Sequence, residues 1–199
     1  MSMLEQRIQQ QFFESADLKY QSAEVLGRPI ENAVAALVGG LTAGGRVLVA
    51  GLGASASLAQ LVVTELVGGF ERDRPGLAAL TLTADGAALP ALVAGGYDKV
   101  LARQVDTLGQ PGDLLLLIDS DGNHPALLAA ASAAQAKDMT VIALTGRSGG
   151  ALAQVLGETD VLVAVPHDRR VRVLETHLLV LHCLCDAIDL QLLGEQDAA

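Results

Sequence analysis

Short runs of consecutive apolar residues alternate along the chain with longer segments of helical periodicity. A strand that is apolar at every position is buried on both faces, so such runs predict a parallel sheet covered on each side by helices. The apolar runs occupy residues 47–50, 77–82, 114–118, 141–144 and 161–165. The intervening segments predict helices over 54–67, 125–137 and 169–193. The pattern therefore predicts an α/β fold.

Two further helices are predicted before the first strand, over 4–24 and 30–41. One side of the first helix is apolar and is formed by Ile8, Phe12, Phe13 and Leu18. Such a leading helix has little to pack against in a doubly wound core, so we expect residues 1–43 to contribute to oligomerisation. The alternative is that the helix folds back onto its own sheet. No linker is evident, and residues 1–199 are expected to form one domain.

Composition agrees with a single domain and argues against a nucleic-acid partner. The 199 residues are 51% apolar but only 3% aromatic, so the core must be aliphatic. The formal net charge is −10, whereas direct binding of nucleic acid needs clustered Lys and Arg. The start of the chain lacks the features of a signal peptide, and no apolar stretch approaches the roughly 18 residues of a spanning helix. We expect a cytoplasmic protein without membrane contact.

The two cysteines, Cys183 and Cys185, lie two positions apart within a predicted helix. Side chains at that spacing diverge by about 200° around the helix axis. We therefore expect both to be buried apolar side chains rather than a redox pair.

The first candidate site is the loop after the first apolar run, which reads Gly51-Leu52-Gly53-Ala54-Ser55. Ligands of open parallel sheets bind beyond the carboxyl ends of the strands. Glycines allow close backbone approach there, and a helix N-terminus offers free N–H groups to an anion. The spacing is not that of the dinucleotide-binding fingerprint. Ser55 could accept a small anion or simply cap the helix.

The second candidate site, residues 119–124, follows the most apolar run and reads Asp-Ser-Asp-Gly-Asn-His. Asp119, Asp121 and Asn123 occupy alternate positions, as in a calcium-binding loop, but the twelfth position holds an alanine instead of glutamate. His124 could pair with Asp121 or stand in solvent. Because this loop carries two carboxylates, it should repel an anionic ligand.

These loops belong to a set of motifs that occur in order through nearly the whole chain, at 51–55, 70–75, 103–105, 111–113, 143–146 and 175–177. The set resembles the sugar isomerase (SIS) family, in its phosphoheptose isomerase branch. Within that branch it is most similar to the DnaA initiator-associating proteins, whose ending resembles residues 183–189. The resemblance implies a five-stranded parallel sheet in a three-layer αβα arrangement. It also implies a homotetramer with phosphosugar sites between subunits.

The resemblance is uneven in the two loops. In the enzymes of the branch the first loop reads Gly-Asn-Gly-Gly-Ser, so Leu52 replaces an amide that binds sugar. The second reads Ser-Thr-Ser-Gly-Asn-Ser, so Asp119, Asp121 and His124 replace serines. The resemblance makes the following residues the candidates for ligand binding: Gly53, Ser55, Asp85, Asp119, Ser120, Asp121, Asn123 and His124.

The resemblance also implies a catalytic pair, which aligns with Glu65 and His182. Such a pair suits aldose–ketose isomerisation, in which one group removes a proton alpha to the carbonyl and the other serves the oxygen. In the zinc-binding enzymes a histidine and a glutamine complete the metal shell, and those positions hold Leu61 and Leu174. Because two protein ligands do not make a zinc site, we expect no metal and no cofactor. The alternatives are an ion pair with a nearby arginine for Glu65, and a core or interface position for His182.

The acidic loop governs the functional expectation. A carboxylate about 5 Å from a phosphate charge costs roughly 3 kcal/mol at an effective dielectric near 20, which weakens binding on the order of a hundredfold. We therefore expect a non-catalytic oligomeric binding module in the control of replication initiation, with a degenerate phosphosugar site and DnaA as partner. The alternative is a phosphoheptose isomerase acting on sedoheptulose 7-phosphate through Glu65 and His182. A third option is a sensor for an uncharged or cationic ligand drawn to Asp119 and Asp121.

Overall fold

The computed structural model describes residues 1–82 and 87–195, and in this part of the chain five strands form one parallel sheet. The strands are β1 (Val47–Gly51), β2 (Ala79–Thr81), β3 (Leu114–Ile118), β4 (Thr140–Thr145) and β5 (Val161–Ala164). Their order in the sheet is β2-β1-β3-β4-β5, and every neighbouring pair is parallel. The α/β class and the five-stranded parallel sheet are confirmed.

Helices cover both faces of this sheet. They are α1 (Met3–Thr42), α2 (Ala54–Gly68), α3 (Ala88–Val93), α4 (Val100–Leu108), α5 (Pro125–Gln135), α6 (Leu152–Val155) and α7 (Arg170–Leu193). In β3, Leu114, Leu116 and Ile118 face one apolar layer, which also contains buried residues of α1, α2 and α7. Leu115 and Leu117 face the other layer, with residues of α4 and α5. This arrangement confirms the three-layer αβα architecture.

The predicted break between two N-terminal helices is wrong, because α1 is one continuous helix of 40 residues with Pro29 inside it. Proline removes one backbone hydrogen bond and normally kinks or ends a helix. Here Leu26 before the proline and Val34 and Leu37 after it are all buried in the same core layer. Burial on both sides of Pro29 holds the two halves in one helix.

The first half of α1 leaves its apolar side exposed. Leu18 is buried, but Ile8, Phe12 and Phe13 are 51%, 73% and 61% exposed. Leu18 of the predicted first helix packs in the core layer of its own sheet, as do the buried residues of the second half of α1, so the alternative of folding back onto the sheet holds for part of the predicted helix 4–24. A contribution of the first half to oligomerisation stays a prediction, and the exposed side chains are the surface such a contact would cover.

The two cysteines of α7 differ in environment. Cys185 is buried, as expected, whereas Cys183 is exposed, so the expectation for Cys183 is wrong. Burial, together with the smaller effects of the Glu65 and Asp189 carboxylates, raises the pKa of Cys185 to about 12. In the described part of the chain, no helix combines the length and the apolar character that crossing a bilayer requires.

His177 of α7 is a fully buried histidine, and its Nε2 lies 3.0 Å from the carbonyl oxygen of Thr145. Burial lowers the pKa of His177 to about 4, against a smaller opposing effect of the hydrogen bond to Thr145. The unfolded chain, with a histidine pKa near 6.5, therefore binds more protons than the folded chain between about pH 6.5 and pH 4. Within this window the free energy of unfolding must fall as the pH falls.

We expect His177 to lower the free energy of unfolding by about 2.5 kcal/mol between pH 7.5 and pH 4.5. His177→Gln keeps a donor for the Thr145 carbonyl but does not titrate, so this variant should lack that part of the pH dependence. Urea denaturation of both proteins at the two pH values measures the difference. The half-buried His167 serves as control, since His167→Gln should behave as the native chain. An equal loss of stability in native chain and His177→Gln would show that His177 does not cause it.

Candidate functional site

Both predicted loops follow the ends of neighbouring strands. Gly51, the last residue of β1, is the register partner of Ile118, the last residue of β3. The strand order changes direction between β1 and β3, and this is where open α/β sheets bind ligands. We call residues 51–55 the glycine loop and residues 119–124 the acidic loop. The structure therefore places the two loops side by side at the carboxyl edge of the sheet, while Asp85 lies outside the described residues.

The glycine loop is a tight connection from β1 to α2. A Cβ atom on Gly51 would lie 2.5 Å from the carbonyl oxygen of Ser55, and Gly53 adopts a φ of +59°, so both positions need glycine. Gly53 is the N-cap of α2, and no side chain caps the helix; the alternative that Ser55 is a cap is wrong. Leu52, at the position of the sugar-binding amide in similar enzymes, packs against the apolar layer next to α4 and α5.

The carboxylates of the acidic loop bind backbone donors of the same loop. Asp119 accepts hydrogen bonds from the amides of Ser120, at 2.9 Å, and Gly122, at 3.1 Å. Asp121 accepts one from the amide of Asn123 at 2.9 Å. Burial raises the pKa of Asp119, and the neighbouring charge of Asp121 raises it further. The amides of Ser120, Gly122 and Asn123 are thus already bound to the loop's own carboxylates and are not free to hold an anion.

Asn123 and His124 anchor the acidic loop to its surroundings. The side-chain oxygen of Asn123 accepts a hydrogen bond from the amide of Ala151 at 3.0 Å. His124 is the N-cap of α5, where its Nδ1 accepts a hydrogen bond from the amide of Ala126 at 3.2 Å. The His124 ring also meets Tyr97 edge-on, with centroids 6.2 Å apart. His124 is therefore a helix cap whose ring is half-buried, and no bond between its side chain and Asp121 is found among the described residues.

Glu65 and His182 lie on two helices that pack against each other, α2 and α7. Both side chains are half-buried. The ring of His182 lies 5.7 Å from that of Phe70, which follows α2. Cys185, one turn after His182, is close enough to Glu65 for the carboxylate to raise the pKa of the thiol. The two predicted catalytic side chains therefore border the same contact between α2 and α7.

This contact is remote from the two loops within one subunit. Both helices start at the carboxyl edge of the sheet, and Glu65 lies 11 residues after Ala54, the first residue of α2. His182 lies 12 residues after Arg170, the first residue of α7. At 1.5 Å per residue these positions are about 16 and 18 Å along the helices. A single subunit does not bring the catalytic pair and the loops together.

The residues around Glu65 and His182 do not fit a zinc site. Leu61 lies one turn before Glu65 and Leu174 lies two turns before His182, and leucine has no lone pair to donate. Within residues 1–82 and 87–195, no three His, Cys, Asp or Glu side chains are grouped closely enough to hold a metal ion. The predicted ion pair of Glu65 is not found among these residues either, since Arg72 donates to the carbonyl of Gly194 at 3.0 Å.

One buried ion pair near Glu65 was not predicted from the sequence. Arg74 lies within the motif at 70–75, and its Nε is 2.6 Å from Oδ1 of Asp189 on α7. Both side chains are almost fully buried. The two residues are separated by 115 positions, so no local pattern could have indicated the pair.

Comparison with known proteins identifies the family. A family model described as the SIS domain matches residues 11–146. The phosphoheptose isomerase of Methylibium petroleiphilum is 58% identical over 199 residues, covering 99% of both chains. That of Thiobacillus denitrificans is 47% identical over 195 residues, covering 98% of this chain and 99% of the relative. The solved structure of phosphoheptose isomerase GmhA from Neisseria gonorrhoeae has a TM-score of 0.89 and 40% identity, covering 94% of this chain and 99% of that one.

These relatives correct the functional expectation. Proteins that match over almost the full length are named for an isomerase activity, so the interpretation as a non-catalytic module in replication initiation is wrong, and so is the expectation that the chain is not an enzyme. Similarity to the DnaA initiator-associating proteins finds no support in them. The chain belongs to the SIS domain family, in its phosphoheptose isomerase branch.

Proposed function

We propose that this chain is a phosphosugar isomerase that interconverts sedoheptulose 7-phosphate and the corresponding aldose phosphate. One observation carries the proposal: Glu65 and His182 are both retained, on helices that pack together, in a chain that matches a phosphoheptose isomerase over 99% of its length. A carboxylate and an imidazole are the two groups that proton transfer between neighbouring carbons and oxygens requires.

In the proposed reaction, Glu65 takes a proton from C1 of the ketose, next to the C2 carbonyl. His182 donates a proton to the C2 oxygen, so that an enediol forms without a free charge on oxygen. His182 then accepts the proton of the C1 hydroxyl while Glu65 returns its proton to C2, which gives the aldose. The proton count balances, and no oxidant, reductant or metal ion enters any step.

The proposed site is shared between subunits. Glu65 and His182 lie about 16 to 18 Å along their helices from the loops of their own subunit. A site that combines the pair with the glycine and acidic loops therefore needs loops from a second copy. The homotetramer implied by the family resemblance would supply them, and the exposed side of α1 formed by Ile8, Phe12 and Phe13 offers a surface for assembly. The tetramer stays a prediction.

The proposal is tested by incubating the purified chain with sedoheptulose 7-phosphate and following the anomeric protons of the aldose product by NMR. In deuterated water, solvent deuterium should enter the product at C2, because the proton is carried by an exchangeable side chain. Absence of conversion above the rate without protein would contradict the proposed function.

Removal of metal ions should leave turnover unchanged within about twofold, because Leu61 and Leu174 stand where similar enzymes place two of their zinc ligands. The measurement compares kcat before and after dialysis against a chelator, with the metal content of both samples determined by mass spectrometry. A loss of activity that added zinc restores would show that residues elsewhere in the chain, or in a second subunit, complete a metal site.

A further inference from the structure

Arg74 connects the helix that bears Glu65 to the helix that bears His182. Its guanidinium donates from Nη1 to the carbonyl of Leu66 at 2.8 Å and from Nη2 to the carbonyl of Glu65 at 2.9 Å. Its Nε donates to Oδ1 of Asp189 at 2.6 Å. One side chain thus binds the last turn of α2 and a carboxylate of α7 at the same time.

These contacts are placed where a helix leaves polar groups unsatisfied. The last carbonyls of a helix have no partner within it, and a cation stabilises the negative end of the helix dipole. The side chain of Arg74 is only 2% exposed, so solvent does not compete for its donors. The position of the Glu65 backbone is therefore fixed by a rigid planar group with its donors in a fixed geometry.

Asp189, the partner of Arg74, lies on the same helix as His182. It lies seven residues after His182, which is two helical turns, so both side chains point to the same side of α7. Cys185 lies between them and feels the charge of Glu65 as well as that of Asp189. Glu65, Cys185, Asp189 and Arg74 therefore form one contiguous group at the contact between α2 and α7.

Stability alone is a weak reason to retain this pair. Replacing a buried ion pair by apolar side chains of similar volume is often neutral or stabilising, because the two charges lose their hydration. Oδ2 of Asp189 is buried and has no hydrogen-bond partner among the described residues, which adds to the cost. The geometry of the pair, rather than its energy, distinguishes it from an apolar contact.

We propose that Arg74 is a positioning residue, which through its bonds to the Glu65 and Leu66 carbonyls and to Asp189 sets the separation of Glu65 and His182. This inference rests on the proposed function of that pair. Displacement of a catalytic group by about 1 Å can reduce turnover roughly a hundredfold, whereas substrate binding by loops of another subunit would be little affected. The effect should therefore appear in kcat and not in KM.

The test uses the double variant Arg74→Met with Asp189→Leu, which leaves no unpaired charge. We expect a folded protein whose kcat is reduced roughly tenfold to a hundredfold, with KM within about threefold of the native value. A matched control is Arg46→Met with Asp113→Leu, since this Arg–Asp pair, at 2.9 Å, joins the segments before β1 and β3 and bonds to residues outside α2 and α7. The control should keep the native kcat.

Crystal structures of the native chain and the double variant give a readout that does not depend on turnover. The distance between the Cα atoms of Glu65 and His182 should change in the double variant, and an unchanged distance or an unchanged kcat would overturn the proposal. If the double variant does not fold, Arg74→Lys replaces it, because lysine keeps the charge but cannot reach Asp189 and both carbonyls together; its kcat should fall less. A native chain without isomerase activity would refute the proposed function, and the Cα distance would still test the role of Arg74.

Discussion

Glu65→Gln is expected to lower kcat for sedoheptulose 7-phosphate by about 10²- to 10⁴-fold, the usual contribution of a general base. The amide has nearly the shape of the carboxylate but cannot accept the carbon-bound proton. His182→Asn should have an effect of similar size, since it removes the group that donates a proton to the C2 oxygen and accepts one from the C1 hydroxyl. Steady-state kinetics with both variants measures these losses, and KM should change far less than kcat.

The control for Glu65→Gln is Glu158→Gln, a change of the same chemistry at an exposed position before β5, outside α2 and α7. It should retain native turnover. Deuterium exchange into the substrate should also stop in Glu65→Gln, because exchange requires the carbon-bound proton to leave. Turnover of Glu65→Gln equal to that of the native chain would rule out Glu65 as the base and would move the chemistry to another part of the molecule.

Replacing Asp119 and Asp121 together by serine is expected to lower KM on the order of a hundredfold. Repulsion of one phosphate charge by one carboxylate about 5 Å away costs roughly 3 kcal/mol, which corresponds to about that factor in affinity. The substitution also frees the amides of Ser120 and Gly122, which Asp119 now occupies. Because neither aspartate is a proposed proton carrier, kcat should change little.

A matched control exchanges Asp17 and Asp106 for serine, which changes the net charge equally at exposed helix positions. The control should leave KM within about twofold of the native value. The two single variants then separate the contributions, and Asp119→Ser should account for the larger part because its carboxylate is the more buried of the two. A KM that stays the same or rises in the double variant would show that the acidic loop does not meet the phosphate group.

The sequence predicted the central layer of the fold well, because an uninterrupted apolar run has few alternatives to a buried parallel strand. The run at 114–118 matches β3 at both ends. At the sheet edge the run at 77–82 exceeds β2, which spans Ala79–Thr81 and has a single neighbour to pair with. The short helices α3, α4 and α6 were missed, although the buried Val100, Leu101 and Val105 of α4 form a readable apolar side.

The candidate site was predictable in position but not in its contacts. Ligands of parallel sheets bind beyond the carboxyl ends of the strands, and this rule placed the glycine and acidic loops next to each other. The pairing of Gly51 with Ile118 in neighbouring strands confirms the placement. The hydrogen bonds from loop amides to the Asp119 carboxylate could not be predicted, since they depend on the exact path of the backbone. The functional expectation failed because it gave two loop charges more weight than the similarity over the whole chain. Repulsion of this size weakens substrate binding, but the two proposed catalytic side chains, Glu65 and His182, are still present.

Close backbone contacts of two glycines in and beside the acidic loop restrict which amino-acid substitutions the loop accepts. A side chain on Gly122 would collide with the Gly149 carbonyl, and one on Gly150 would collide with the Asp121 carbonyl. Asp119 and Asp121 already carry side chains, which bond to amides of their own loop. Natural variation can thus reverse the electrostatic character of the loop while its backbone path is preserved, and substrate preference in this lineage can drift without loss of the scaffold.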